Sequence, residues 1–336
     1  MSQTVRLGII GCGAITQVAH LPVLKKLKGF EVAALCDIDH TKTRALASRF
    51  GVPDYFDDIE DLLAHEALDA LLVASPNHLH ESHVLAGLSA GLHVLVERPV
   101  AMTAASAQKV LRAAEKHDRR VLVGMNHRYR PDVQIVRGFL QHGELGRVES
   151  VRGSWHAFRP VRAPLGWRQR RDQAGGGAML DLGLAILDLG LWLAGPLVPT
   201  RASAALDRDP GERAVEHSGS AFVLCEDGPS LFLDVTRHHV GEAERFGLGL
   251  RAAKGTAGIN PLHVWKELNG VPTDVAPTSS GSRDNAFVAS FRAMWAHFHA
   301  VVNGEAPAPS LEEQVTLHKV IDAIYRAAAD GRDVAI

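Results

Sequence analysis

Val5-Arg6-Leu7-Gly8-Ile9-Ile10-Gly11-Cys12-Gly13-Ala14-Ile15-Thr16 is the stretch on which the reading of this chain turns. Residues 5–10 form a short, β-rich apolar run, and a helical pattern of Ala19, Leu21, Leu24 and Leu27 follows the glycines. Strand, Gly-x-Gly turn and helix in that order make the fingerprint of a dinucleotide site. Gly11 permits the tight turn. Gly13 lets the backbone come close to a pyrophosphate resting on the helix N-terminus, where unpaired amides and the helix dipole favour an anion. A second apolar run, residues 31–36, ends in Asp37, near the ~20-residue spacing expected of an acid that holds ribose hydroxyls. Thr16 stands in place of the third fingerprint glycine, so helix and strand are expected to sit slightly further apart.

Outward from this stretch, short apolar strands alternate with amphipathic helices as far as Val123. Strands are predicted at 5–10, 31–36, 69–74, 92–96 and 121–124, with a weak one at Tyr55-Phe56; helices are predicted at 14–27, 40–49, 58–64, 78–89 and 103–117. This alternation implies an α/β, Rossmann-type doubly wound parallel sheet. Two of its strands run into Ser75-Pro76-Asn77 and Glu97-Arg98-Pro99, at the carboxyl edge where such sheets bind ligands.

The rhythm changes after Met125. A helix at 132–142 leads to a β-rich segment at 147–156, a Pro/Arg/Gly-rich loop to Gly177, and an apolar helical stretch at 178–193. Four or five strands follow between 201 and 266 without intervening helices, then a loop at 271–283 and helices at 286–303 and 310–329. Repeated strands of this kind imply an α+β second domain with a mostly antiparallel open sheet. The expected division is 1–124 for the dinucleotide-binding domain and 125–336 for a substrate-binding and oligomerisation domain.

Composition narrows the function. With 336 residues, 46% hydrophobic, 22% charged and net charge -2, the chain reads as an ordinary globular protein without a basic footprint for nucleic acid or a membrane surface. Cys12, Cys36 and Cys225 lack Cys-x-x-Cys spacing and read as reduced thiols of a cytoplasmic protein. A strand beginning at Val5 leaves no room for a signal peptide. Residues 179–194, the most apolar stretch, are too short to span a bilayer and carry Asp181 and Asp188. His78, His80 and His83 are close in sequence, but His80 has a better explanation at the cofactor cleft, so no metal is expected.

Taken in order, Gly-Cys-Gly-Ala-Ile (11–15), Ser-Pro-Asn-His-Leu-His (75–80), Ala-Gly-Leu-His-Val-Leu-Val-Glu-Arg-Pro (90–99), Trp167-Arg168 and Gly-Gly-Gly-Ala-Met-Leu-Asp-Leu-Gly (175–183) resemble the Gfo/Idh/MocA family of NAD(P)-dependent oxidoreductases. The resemblance covers nearly the whole chain. It implies an enzyme acting on sugars, cyclitols or their derivatives, with a carbohydrate-like substrate; a second-domain sheet with one face uncovered by helices would suit a homodimer or homotetramer. Gly11, Gly13, Ala14 and Ile15 would then cradle the pyrophosphate, and Asp37 would accept from the adenosine ribose. Its charge would repel a 2′-phosphate, which favours NAD over NADP. Lys42 and Arg44 read as solvated helix residues. The resemblance further implies that Ser75, Pro76, Asn77 and His80 line the cofactor near the nicotinamide ribose. Glu97, Arg98 and Asn126 would face the same cleft, and Trp167 with Arg168 would approach the cofactor from the second domain.

Two departures from the family pattern bear on catalysis. Glu-Lys-Pro reads Glu97-Arg98-Pro99, and in Asp-x-Gly-x-His-x-x-Asp the histidine position is Ala185. Arginine can donate hydrogen bonds but cannot shuttle a proton, and alanine has none to give. Hydride transfer to a carbonyl still needs one proton, and a positioned acid or base is worth about 10²–10⁴-fold. Arg98 is expected to stabilise charge on the reacting oxygen, and Asp181 to act as base or as an inward carboxylate paired with Arg98, while Asp188 reads as structural. His127, Tyr129, His156, His238 and His239 are candidate replacement donors. A non-catalytic NAD-binding sensor on the same fold is the alternative.

Overall fold

The structure is a computed structural model that describes residues 3–64, 68–158, 166–208, 215–277 and 285–336. It divides into two compact units, one of residues 1–126 and 287–315 and one of residues 127–286 and 316–336. This differs from a single boundary at 124/125. The chain returns to the first unit near its end, through a helix whose aromatic residues complete that unit's core.

In the first unit, β1 (Val5–Ile10), β2 (Phe30–Cys36), β3 (Asp54–Phe56), β4 (Ala70–Val73), β5 (His93–Val96) and β6 (Val121–Val123) form one six-stranded sheet. Its order is β3-β2-β1-β4-β5-β6 and every pairing is parallel. The order reverses at β1, so the crevice outside its carboxyl end is the topological switch point. Crossover helices are α1 (Leu21–Leu24), α2 (His40–Phe50), α3 (Ile59–Leu63), α4 (Asn77–Ser89) and α5 (Ala104–His117). Asp39, Asp58 and Thr103 start α2, α3 and α5 by accepting from backbone amides, and Gly51 ends α2 with φ 75°. Strands β1, β4, β5 and β6 are almost wholly buried, which is why they read as continuous apolar runs, while edge strand β3 is not and gave only a weak signal. The first crossover is not the uniform helix expected at 14–27: a π-helical turn, Thr16–His20, precedes a short α1. Near the end of the chain, the helix Ala286–Val302 places Trp295 and Phe298 against Phe30 of β2.

The second unit opens with α6 (Pro131–Gln141), β7 (Val148–Phe158) and α7 (Arg171–Ala174). A π-helical turn (Met179–Gly183) then runs directly into α8 (Leu184–Ala194). Next come β8 (Pro199–Arg208), β9 (Glu216–Cys225), β10 (Ser230–His239), β11 (Arg245–Ala252), β12 (Gly255–Ile259), β13 (His263–Leu268) and β14 (Val271–Asp274). The chain closes with α9 (Ala286–Val302), α10 (Leu311–Asp330) and β15 (Val334–Ala335). The nine-stranded sheet has the order β14-β13-β12-β11-β7-β10-β9-β8-β15, and only β7–β10 is parallel. Residues 271–274, expected in a loop, instead pair with β13; residues 278–284 lie outside the described residues.

Helix α8 packs on β7 and β10 and is buried at eight of its eleven positions. Leu231, Leu233 and Val235 face it in strict alternation, and Phe232 on the other face is 42% exposed. The run Arg171–Ala194 is 24 residues long with hydropathy 1.6, counted across the glycines at 175–177. By length and composition it could cross a membrane; it is longer than the stretch 179–194 read in the sequence because it begins at Arg171, before the glycines. Its window is 78% buried inside the protein, so its apolarity is accounted for by the sheet.

Candidate cofactor site and active site

Gly11 has φ +94° and lies so close to β4 that a Cβ would sit 2.5 Å from the carbonyl of Ala74. No other residue fits there. Gly13 is the opposite case: a Cβ would meet nothing within 4 Å. Its surface is open just where the first turn offers amides at Ala14 and Ile15 that have no carbonyl one turn earlier. Thr16 is fully buried and donates its hydroxyl to the Gly11 carbonyl at 2.6 Å. The third-glycine position is thus filled by a side chain that braces the turn.

Asp37 closes this site from the end of β2. Its Oδ2 accepts from the Cys12 amide at 2.8 Å and its Oδ1 from the Asp39 amide at 3.0 Å. Lys42, expected in solvent, reaches the same Oδ1 at 2.9 Å. Burial opposes ionisation, but the two amides and Lys42 outweigh it and hold the carboxyl below its ordinary 3.8. An open glycine turn, a free helix N-terminus and a fixed anion at the next strand end fit a dinucleotide whose ribose hydroxyls donate to a carboxylate.

The remaining residues expected at this edge divide by what they already touch. Ser75 is 7% exposed and bonded to His83 Nδ1 at 3.0 Å; burial and the neighbouring His80 and His78 push His83 down to about 4, so it is neutral. Pro76 caps α4, and Asn77 opens it, half-buried. His80 does not line a cleft. It is 1% exposed, and both ring nitrogens are engaged by backbone carbonyls, those of Pro99 at 2.6 Å and Ser75 at 2.7 Å.

Glu97 is likewise turned toward its own unit. Its Oε1 lies 2.9 Å from His20 Nε2, and it packs closely on Gly124, where a Cβ would meet its Cδ and Oε1 at 3.2 Å. Trp295 Nε1 donates to His20 Nδ1 at 3.1 Å. An indole N–H can only donate, so Nδ1 is the bare nitrogen and Nε2–H is the donor to Glu97. Burial works against the Glu97 carboxylate, yet the His20 bond and the charges of Arg98 and His80 hold it ionised. Asn126 is 6% exposed, and its amide donates to Ser290 at 3.1 Å. Glu97 and Asn126 therefore brace the edge. Arg98 is half-buried beside them.

In the second unit, Asp181 sits on the π-helical turn and accepts from Arg237 Nη2 at 2.8 Å. Arg237 also donates to the Arg168 carbonyl at 3.2 Å, and the Arg168 guanidinium lies 4.3 Å from the Trp167 ring centre. Trp167, Arg168 and Asp181 are thus gathered around one buried arginine that the sequence reading missed. Arg237 occupies the inward parity of β10 after Leu231, Leu233 and Val235. Asp188 forms a buried, two-pronged pair with Arg128 at 2.8 and 2.6 Å, a structural role as expected. Ala185 is 2% exposed and contributes only a methyl group.

Glu216 was also missed. Its Oε1 accepts from the Gly177 amide at 2.8 Å, the Met179 amide at 3.0 Å and the Tyr325 hydroxyl at 2.7 Å. It is the anionic cap of the helix that carries Asp181. The glycines before it follow from this packing: a Cβ at Gly176 would fall 2.0 Å from the Tyr325 hydroxyl, and one at Gly177 would fall 1.9 Å from the Glu216 carbonyl.

The histidines proposed as replacement donors do not share one face. His156 pairs with Asp234 at 2.8 Å, and His238 stacks on His217 at 4.6 Å. His156 is in register with Thr236, so it sits opposite the face from which Arg237 reaches Asp181, as does His238 by alternation. His239 lies beside His156, 5.7 Å between ring centres. His127 packs against Trp155 and Phe246 at 5.0 and 4.7 Å, and burial raises the Tyr129 phenol far above its ordinary range.

Comparison with known proteins bears on the same two units. Residues 5–125 match the oxidoreductase family with an NAD-binding Rossmann fold, and residues 133–256 match the GFO/IDH/MocA C-terminal domain. A D-glucoside 3-dehydrogenase of Escherichia coli is 25% identical over 352 residues, covering 100% of this chain and 98% of the relative. A putative UDP-kanosamine synthase oxidoreductase subunit of Amycolatopsis mediterranei is 34% identical over 247 residues, 68% of each chain. Among solved structures, levoglucosan dehydrogenase in complex with NADH and levoglucosan has the same fold, with TM-score 0.88 at 20% identity over 99% of this chain and 100% of the other.

Proposed function

The chain belongs to the Gfo/Idh/MocA family of NAD-binding oxidoreductases, and from that premise we propose that it acts on a hydroxyl or carbonyl of a sugar-like or cyclitol-like small molecule. The observation that carries the reading is the open Gly13 turn beside the fixed Asp37 carboxylate. Relatives named for D-glucosides, scyllo-inositol and levoglucosan support the substrate class. Gly11, Gly13, Ala14, Ile15 and Asp37 would hold NAD, with Ser75, Pro76 and Asn77 at the nicotinamide end. When bound, it supplies the hydride acceptor or donor.

The protein's own part is electrostatic. Arg98 donates hydrogen bonds to the reacting oxygen and stabilises its charge without changing protonation, while the proton that accompanies the hydride is exchanged with water. Asp181 is a weakened base, because Arg237 favours its carboxylate form; it serves better as a fixed anion that orients hydroxyl groups. Turnover of NAD across a panel of glucosides, inositols and anhydrosugars tests the proposal. Reduction of NAD with any of them supports it. Tight NADH binding without turnover on the whole panel, in either direction, would favour the sensor.

Asp37→Ala is expected to weaken NADH roughly tenfold and to improve NADPH, because the repelling carboxylate is gone and Lys42 is released. Fluorescence titration with both nucleotides measures this. In the native protein the depressed Asp37 carboxyl stays ionised above its ordinary 3.8 and loses its charge only as pH falls through the lowered value. The NADH preference should therefore be flat from pH 8 to about 5.

Two further proposals complete the reading. Cys12, Cys36 and Cys225 are free and buried, with thiols pushed up to about 12, 12 and 11 mainly by burial, which supports a cytoplasmic protein. The open face of the nine-stranded sheet carries Phe222, Leu224 and Phe232 at 38–42% exposure, beside Arg152 and Arg251 at one end and Asp234 at the other. This mix of apolar and opposite charges suits a second copy packed across a two-fold axis. Phe222→Glu/Phe232→Glu is expected to convert the native assembly to monomer in light scattering; a monomeric native protein would refute the proposal.

A further inference from the structure

Backbone carbonyl oxygens accept hydrogen bonds and never donate them. The ring of His80 has one at each nitrogen, Pro99 O at 2.6 Å from Nδ1 and Ser75 O at 2.7 Å from Nε2. A neutral imidazole carries one proton, so either tautomer would aim a ring lone pair at a carbonyl lone pair at bonding distance. Only the doubly protonated ring satisfies both contacts. We propose that His80 is an imidazolium clamp, charged at neutral pH, that ties the Ser75-Pro76-Asn77 loop to the Glu97-Arg98-Pro99 loop, and so positions Arg98 and the nicotinamide end of the cofactor site.

The surroundings of His80 bear this out. A buried cation needs a nearby anion, and the Glu97 carboxylate at the end of β5 supplies it, held ionised in part by His80 itself. Arg98 on the same loop is the opposing charge. From α4, His83 is neutral, with its Nδ1 bonded to Ser75 Oγ, and His78 completes the group. Ser75 is thus gripped twice, at its carbonyl by His80 and at its hydroxyl by His83. The two loops leave neighbouring parallel strands, β4 and β5, so a link from Ser75 to Pro99 fixes the spacing of the two loops at the sheet edge. His80 is a positioning residue: at 1% exposure it acts through Ser75 and Pro99.

The protonation state can be read directly from the ring nitrogens of ¹⁵N-histidine-labelled native protein. At pH 8 one imidazolium, with two similar nitrogen shifts, should remain and should vanish in His80→Gln. If every histidine of the folded native protein is a neutral tautomer at pH 8, the proposal fails, whether or not the variant folds. The positioning role rests on the cofactor reading, and a second measurement separates the two. NADH affinity of the native protein should fall as pH is raised far enough to strip this proton, whereas His80→Gln should bind roughly tenfold or more weakly at pH 7 and lose that pH dependence. His80→Lys, which keeps charge and donors, should recover part of the affinity. An imidazolium at pH 8 with equal NADH affinity in all three proteins would leave the charge assignment standing and overturn the positioning role; absence of NADH binding in native protein would instead overturn the cofactor reading.

Discussion

Arg98→Ala is expected to lower kcat/KM by about a hundredfold or more and to change the NADH Kd by no more than a few-fold. Ala185 offers no proton and Asp181 is held as a carboxylate by Arg237. The reacting oxygen must then be stabilised chiefly by a donor that is charged throughout the working pH range, and Arg98 is that donor at the carboxyl edge of the first sheet. Its backbone is fixed on both sides, by Glu97 bonded to His20 and by Pro99 bonded to His80. Removing the side chain should leave the loop in place, so the loss belongs in kcat and not in cofactor binding. Steady-state kinetics with fluorescence titration of the same preparations decide it; equal losses in both would make Arg98 a cofactor-binding residue only.

Arg98→Lys sharpens the same point. Lysine keeps the charge but can release its proton, so the variant should retain activity and acquire a new limb in its pH–rate profile on the alkaline side. The native profile should lack that limb. A native enzyme that already shows a lysine-like limb would place the titrating group elsewhere.

The sheet of the first unit was legible because each signal is local. A buried parallel strand is a short apolar run, and the Gly11–Gly13 turn and Asp37 need only their own neighbours to be read. Alternation likewise marks one buried face on β9 and β10, but six strands, β8 to β13, stand where four or five were expected, because β12 is buried without alternation. What escaped the sequence is long-range pairing of polar side chains. Trp295 reads as core at helical spacing, and it is core, but its N–H fixes His20 across 275 positions. His80 reads as a cofactor-lining residue because its motif sits at the cofactor edge, while its two carbonyl partners appear only when the loops are brought together. Arg237 did leave a trace: a charge on the inward parity of an otherwise apolar strand demands a buried partner, and Asp181 on the apolar helix is its match. Glu216 left none, since its three donors lie 37 to 109 positions away.

That last residue carries the largest expected effect on stability. Glu216→Ala strips the acceptor from two helix-terminal amides and from a buried phenol at once. Each buried donor left without a partner costs about 1–3 kcal/mol, so the sum is a large share of the ~5–15 kcal/mol that holds a typical domain together. The melting temperature should fall by on the order of 10 °C. Tyr325→Phe, which removes one donor and leaves the carboxylate with both amides, should cost only about 1 kcal/mol. Gly177→Ala attacks the contact from the other side, because its Cβ would lie 1.9 Å from the Glu216 carbonyl oxygen, and it should destabilise as much as loss of the carboxylate. Thermal melts of the three variants give the ranking. Were Glu216→Ala no worse than Tyr325→Phe, the carboxylate would not be the cap of the Asp181 helix. Asp181 stands two residues beyond Met179, whose amide Glu216 holds. Activity in a Glu216→Gln variant that still folds should therefore fall further than its stability alone explains.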